Sequence, residues 1–324
     1  MEAVFKDEVG AALDPVTRDL QRMEEIMLEA SAAATVFLTE ATTYLTRAGG
    51  KRLRPALVAL SAQLGSGTDW RVHATGAAIE LTHLATLYHD DVIDEADVRR
   101  GVASANEKWG NTVAILVGDY LFARASGIAA DVGGPVPRVL ADAIARVVQG
   151  QVRELESAYD TARGGPHYFA TIEDKTAALI EASTRLGGAL AGCSDELVDA
   201  LSRFGTSFGL AFQIADDLLD IAATQEELGK APGTDMRDGV YTLPVLLAME
   251  ADPSLASSLG APQVDVEGVR TAVLRTGAFD RALAEAARHA DGALEILKTL
   301  PHREARDSLE RLTRVVVDRV PVLE

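Results

Sequence analysis

Leu84-Ala85-Thr86-Leu87-Tyr88-His89-Asp90-Asp91-Val92-Ile93-Asp94 carries an apolar, helix-forming run straight into three aspartates. A second stretch, Phe212-Gln213-Ile214-Ala215-Asp216-Asp217-Leu218-Leu219-Asp220, does the same. Alanine and leucine dominate around both, and β-branched alternation is scarce, so the apolar spacing is that of helices. At about 100° and 1.5 Å per residue, the first and third aspartates of each cluster share a helix face and the second flanks it. Carboxylates this close repel one another, which raises their pKa values or calls for a cation. Hard divalent ions such as Mg²⁺ take oxygen ligands and bridge one or two carboxylates to a phosphate. The apolar flanks predict buried helices, and buried carboxylates need partners. Two acidic clusters facing a cavity filled with Mg²⁺ satisfy that need.

The same helical spacing continues outward through most of the 324 residues. Breaks fall at Gly65-Ser66-Gly67, around 99–110, at Gly133-Gly134-Pro135, at Gly164-Gly165-Pro166, over 223–244 and near 251–262. Asp14-Pro15 reads as a helix cap followed by proline at the first helical position. No repeat or linker-like composition divides the chain, so residues 1–324 read as one all-α domain, a bundle of about ten or more helices. Hydrophobic residues are 48% and charged residues 25% of the chain, a folded composition. The 31 basic against 49 acidic residues give a net charge of −18, which argues against nucleic acid as a partner. The single Cys193 precludes an intrachain disulfide and fits a reducing compartment. No secretory leader is legible at the N-terminus, and charge interrupts every apolar stretch before the roughly 18 residues a membrane span needs. The expectation is a cytoplasmic protein without a transmembrane segment.

Metal-loaded aspartates want a phosphate ligand, which requires cations nearby. Gly49-Gly50-Lys51-Arg52-Leu53-Arg54-Pro55 sets basic residues before a proline that opens a helix. Lys51 and Arg54 then flank a helix N-terminus, whose free N–H groups favour an anion. Arg99-Arg100 follow the first cluster within one short loop. His83 lies two turns before Asp90, about 20° off its face, and Gln213 about 60° from Asp216. Lys175-Thr176 and Gly229-Lys230 are weak signals by themselves.

Together with Gly118-Asp119 and Gly233-Thr234-Asp235, these motifs, in this order over roughly residues 45–250, resemble the trans-isoprenyl diphosphate synthases, or polyprenyl synthetases. The resemblance implies an all-α fold around a deep central cavity, a homodimer, and Mg²⁺, three ions per active site when substrate is bound. It implies head-to-tail condensation of isopentenyl diphosphate with an allylic diphosphate. Carried over by position, Asp90, Asp91, Asp94, Asp216, Asp217 and Asp220 bind the ions that hold the allylic diphosphate. Arg99, Lys175, Thr176, Gln213 and Lys230 contact that substrate or its leaving group, and Gly50, Lys51, Arg54, His83 and Arg100 hold isopentenyl diphosphate. Of these, Asp90, Asp91, Asp94, Arg99, Lys175, Asp216 and Asp217 are the expected catalytic set. Two positions depart from the pattern: Val240 stands where many relatives carry lysine, and Ala103 replaces a common proline.

Such a reaction needs no nucleophilic side chain, and the sequence offers no triad. Product length follows from the wall of the cavity along the first aspartate helix. Ala85 lies about 7.5 Å down the axis from Asp90, Thr86 beside it, with Thr82 and Ala78 continuing the stripe. Relatives making short products have bulky aromatics near these positions. Small residues here favour a long product of about C30–C50 on pocket volume, over a C20 geranylgeranyl diphosphate. A class I terpene cyclase has no need of the Lys51/Arg54 site, and a non-catalytic subunit of a heteromeric synthase would have eroded aspartates. Transient membrane contact for release of a greasy product remains compatible with this reading.

Overall fold

The computed structural model describes residues 2–222, 233–259 and 264–321. They form α1 (Glu2–Leu13), α2 (Thr17–Ser31), α3 (Val36–Arg47), α4 (Leu53–Gln63), α5 (Trp70–Ile93), α6 (Ala105–Trp109), α7 (Asn111–Val132), α8 (Val136–Glu156) and α9 (Gly165–Ile172). There follow α10 (Ala178–Leu190), α11 (Asp195–Ala222), α12 (Thr234–Arg237), α13 (Leu243–Ala251), α14 (Leu255–Leu259), α15 (Val266–Arg275), α16 (Ala278–Lys298) and α17 (Glu304–Asp318). Among the described residues the only strands are Val98–Arg99 and Val102–Ala103, a two-residue antiparallel pairing. The all-α expectation therefore holds, with more helices than about ten because short ones occupy several of the breaks.

The first aspartate helix, α5, is apolar on every side, and only a central position satisfies such a helix. Ile79, Leu81, Leu84 and Tyr88 are fully buried along it. Asp69 caps its start, accepting from the backbone N–H groups of Arg71 (2.9 Å) and Val72 (3.2 Å). α5 packs most extensively on α7, while α11 packs on α10 and α16, and α4 on α10. One apolar core runs through these layers from Ala12 to Val320. Near the N-terminus the expected cap is replaced: Asp14–Val16 is a 3₁₀ turn without a side-chain cap bond, and α2 begins only at Thr17. Proline has fixed that turn, but the chain has not yet entered the α-helix.

α7 is by length and composition apolar enough to cross a membrane, although one third of its most apolar window is buried. It carries Asp119 and Arg124, and the Arg124 Nε–H donates to the Ala30 carbonyl at 2.8 Å. Ile115 and Leu116 of α7 are exposed apolar side chains, as are Val148, Val152 and Leu155 of α8.

Candidate active site

The two acidic clusters end α5 and lie in the last two turns of α11. In the first, Asp90 and Asp94 keep accessible surface, whereas Asp91 has none. Asp91 turns toward the hairpin loop instead, where its Oδ1 accepts from Arg99 Nε at 2.6 Å. Asp91, expected as a metal ligand, and Arg99, expected as a substrate contact, are thus paired with each other. Burial lifts the Asp90 acid to about 6, with Lys175 pulling it back and Asp94 adding to the rise. Asp94 is raised too, first by burial.

The second cluster differs from the first only at its third aspartate, which is buried. Asp217 and Asp220 are almost fully buried, and Asp216 is the accessible member. Asp217 Oδ2 accepts from the Tyr168 hydroxyl at 2.5 Å and Oδ1 from Gln213 Nε2 at 2.8 Å. Gln213 Oε1 in turn accepts from Thr176 Oγ1 at 2.7 Å. Burial pushes Asp217 well above the usual carboxylate range, and Asp235 adds to it. Asp216 is paired with Arg319, a residue just past α17 whose guanidinium also lies 4.8 Å from the Phe212 ring centroid.

Lys175 and Thr176 sit on a single π turn, Glu173–Ala177, between α9 and α10. Such turns are wider than an α turn and need room on both sides. Two glycines provide it. A Cβ on Gly150 of α8 would lie 2.8 Å from Lys175 Cα, and one on Gly209 of α11 would lie 2.7 Å from Ala177 Cα. Neither contact is compatible with a side chain, so the absence of Cβ lets α8 and α11 close on the turn. Lys175 Nζ then bonds Glu154 of α8, a residue that sequence reasoning passed over.

A cavity of about 170 Å³ is lined by Asp94, Glu154, Lys175, Thr176, Gln213 and Asp217. Arg163, Tyr168, Asp235, Asp238 and Val240 also line it. Asp235 was marked only as part of a motif, and Arg163, Tyr168 and Asp238 carried no signal that spacing alone reveals. Lys230 lies outside the described residues. Among the described residues no three His, Cys, Asp or Glu side chains converge closely enough to hold a metal by themselves. The cavity carboxylates are hard oxygen donors, and burial raises the pKa of Asp94 and Asp217 among them, which suits divalent ions shared with a bridging phosphate.

The basic wall lies between α4, α5 and the loop after α5. Lys51 is exposed ahead of α4. Burial pulls the Arg54 guanidinium down from its ordinary value, against the field of Glu80. His83 is held well below its ordinary value by burial, then by Arg54, Arg100, Arg99 and Arg52, which favours the neutral ring. Arg52 is structural: buried Glu80 takes it at 3.3 Å, Glu24 at 3.2 Å and the Thr46 carbonyl at 2.7 Å. Arg100 donates to the carbonyls of Leu45 and Gly49 and lies against Gly50. It therefore shapes the Gly49-Gly50 loop, a role the sequence did not suggest. Of the chain-length positions, Ala85 and Thr82 are fully buried while Thr86 is accessible on the Asp90 side.

The chain is similar in sequence and fold to known proteins. The profile of the polyprenyl synthetase family matches residues 35–273. A nonaprenyl diphosphate synthase from Mycobacterium tuberculosis is 43% identical over 98% of this chain and 95% of its own. A decaprenyl diphosphate synthase structure from Rhodobacter capsulatus superposes with a TM-score of 0.91 at 34% identity, covering 97% of this chain and 100% of its own. A polyprenyl synthase structure from Caulobacter crescentus, complexed with calcium and isoprenyl diphosphate, gives 0.92 at 33% identity, covering 97% and 98%. With a profile match across most of its length and such relatives end to end, the chain belongs to the polyprenyl synthetase family.

Proposed function

We propose that this prenyltransferase condenses isopentenyl diphosphate head-to-tail with an allylic diphosphate, making an all-trans polyprenyl diphosphate of about C30–C50. The observation that carries the reading is that Asp94 of the cluster ending α5 and Asp217 of the cluster on α11 line one cavity together with Lys175 and Arg163. On this reading Asp90, Asp94, Asp216 and Asp217 would hold Mg²⁺, with Asp91 and Asp220 supporting them. Bound there, Mg²⁺ supplies positive charge to the leaving diphosphate. Lys175 releases Glu154 to meet the same diphosphate, and Thr176 and Gln213 keep Asp217 oriented. Arg54 and neutral His83 hold isopentenyl diphosphate, while Lys51 closes on it from the loop. Departure of the diphosphate leaves a delocalised allylic cation, which the alkene of isopentenyl diphosphate attacks; the two bound substrates gain from proximity. The released diphosphate takes the proton. Apolar side chains of α5 exclude water from the cation.

We also infer one domain, since the apolar core is continuous, and a homodimer through the exposed apolar faces of α7 and α8. The test of function is incubation of radiolabelled isopentenyl diphosphate with farnesyl diphosphate and Mg²⁺, followed by chain-length analysis. Asp90→Ala or Asp216→Ala, folded and purified, lowers turnover by orders of magnitude. Near-normal rates in either variant, or a cyclic hydrocarbon made without isopentenyl diphosphate, defeats the assignment.

A further inference from the structure

Arg163 lies between α8 and α9 and lines the same cavity as Lys175 and Asp217. Its Nη2 donates to the Tyr241 carbonyl at 2.6 Å and its Nη1 to Ser157 Oγ at 2.8 Å. Both acceptors are neutral. Its Nε–H is buried without a hydrogen-bond partner, and among the described residues it makes no ion pair. This is unusual company for a lone arginine, because Asp94, Glu154, Asp217, Asp235 and Asp238 all border the cavity. Lys175, the other cation of the lining, is already committed to Glu154. A guanidinium offers five donors in a fixed fork, and two are spent here on holding it still. Its charge is left for a ligand.

Resting on the proposed synthase reading, we propose that Arg163 is a second cation for the diphosphate of the allylic substrate, in the cavity that Lys175 also lines. The ligand class is an inorganic or prenyl diphosphate accompanied by divalent ions, whose oxygens match the planar fork. The anchoring bonds explain why an arginine suits the place. The tie to the Tyr241 carbonyl fixes the fork beside Val240, an apolar stretch of wall that presents no charge of its own. Burial lowers the Arg163 guanidinium, while Glu154, Asp160 and Asp217 counter it, so the group stays charged.

The alternative is that Arg163 only ties the loop after α8 to Tyr241. Isothermal titration of inorganic diphosphate in Mg²⁺ into the full chain separates the two, with thermal melting alongside. Arg163→Met keeps the stem and removes the charge; it weakens diphosphate binding about tenfold, the worth of one charge-assisted hydrogen bond. In steady state it raises KM for the allylic diphosphate and leaves KM for isopentenyl diphosphate near wild type. Arg163→Lys retains most of the affinity. Val240→Lys, added to Arg163→Met, restores diphosphate binding although it cannot restore the bond to Tyr241. Unchanged diphosphate affinity in Arg163→Met overturns the proposal. So does equal loss in the Met and Lys variants with a lowered melting temperature and no rescue by Val240→Lys. If wild type binds diphosphate through Arg163 but makes no prenyl chain, the synthase reading fails and the diphosphate site stands.

Discussion

Arg319→Ala tests how the second acidic cluster is held before substrate arrives. The Arg319 side chain is 6% exposed and Asp216 43%. Its Nη2 donates to Asp216 Oδ1 and to the Phe212 carbonyl (3.2 Å), and its Nε to the Val316 carbonyl (3.1 Å). The pair with a half-exposed carboxylate is worth at most about 1 kcal/mol. The two backbone bonds add about 1 kcal/mol each, and the guanidinium over Phe212 roughly 0.5 kcal/mol. The loss is then about 3 kcal/mol. Unfolding entropy of about 2.1 cal/mol/K per residue gives roughly 0.7 kcal/mol/K for a chain of this size, hence a fall in Tm of about 4 °C. Differential scanning calorimetry of the metal-free protein measures it. Mg²⁺ with inorganic diphosphate then raises the variant by more than wild type, because Asp216 has lost its resident cation and has most to gain from a new one. The gap between the two proteins narrows. A Tm within about 1 °C of wild type, or a gap that Mg²⁺ and diphosphate leave unchanged, refutes the role given to Arg319.

Product length, acidity and the π turn give three further tests. Phenylalanine at Thr86, accessible beside Asp90, shortens the product with the fold intact; phenylalanine at fully enclosed Ala85 shortens it at a loss of about 1–3 kcal/mol from overpacking. Unchanged chain lengths in both variants reject α5 as the floor. For Asp90, whose acid is raised from 3.8 to about 6, the folded state keeps its proton longer than the unfolded chain. Its ionisation therefore subtracts stability as pH rises through that window, and binding of Mg²⁺ with diphosphate weakens as pH falls below about 6. Titrations on both sides of pH 6 check this, with Asp90→Asn removing the dependence; a flat affinity contradicts it. Gly150→Ala drives a methyl into the Lys175 backbone, lowering Tm and raising KM for the allylic diphosphate far more than for isopentenyl diphosphate. Equal changes in the two KM values would show that the clamp does not position Lys175.

The fold was legible because helical apolar spacing is a local property, and α5 and α11 announce themselves by it. Asp90 and Asp216 were legible for the same reason: the third aspartate of each motif, Asp94 or Asp220, lies one turn away along the same helix. What spacing does not carry is the direction in which a flanking carboxylate turns. Asp91 turns away to Arg99 and Asp217 turns inward to Tyr168, though both hold the second place in identical motifs. The difference comes from what packs behind each helix, a hairpin loop in one case and α9 in the other. Arg319 lies 103 residues beyond Asp216, and no periodicity joins them. Arg100 and Arg52 read as ligands or bystanders by charge alone, yet backbone carbonyls and Glu80 employ them as scaffolding. The π turn was likewise hidden, since the glycines that permit it are on α8 and α11 rather than in the turn.

The resident pairs also bear on how an acidic protein selects its ligand. Arg99 neutralises Asp91, Arg319 neutralises Asp216 and Lys175 neutralises Glu154. Among the described residues Asp90, Asp94 and Asp217 have no such ion pair, and in each of them burial is the largest cause of a raised pKa. The net charge of −18 outside and these three groups inside repel a bare diphosphate alike. A diphosphate arriving with divalent ions meets the opposite balance: its ions satisfy the unpaired carboxylates, and its oxygens draw Lys175 from Glu154. Selection thus falls on the complex rather than on either component. Diphosphate without Mg²⁺ must bind far more weakly than with it, and Mg²⁺ without diphosphate finds carboxylates too widely spread to hold it firmly. The excess of acid in the cavity is what couples the two.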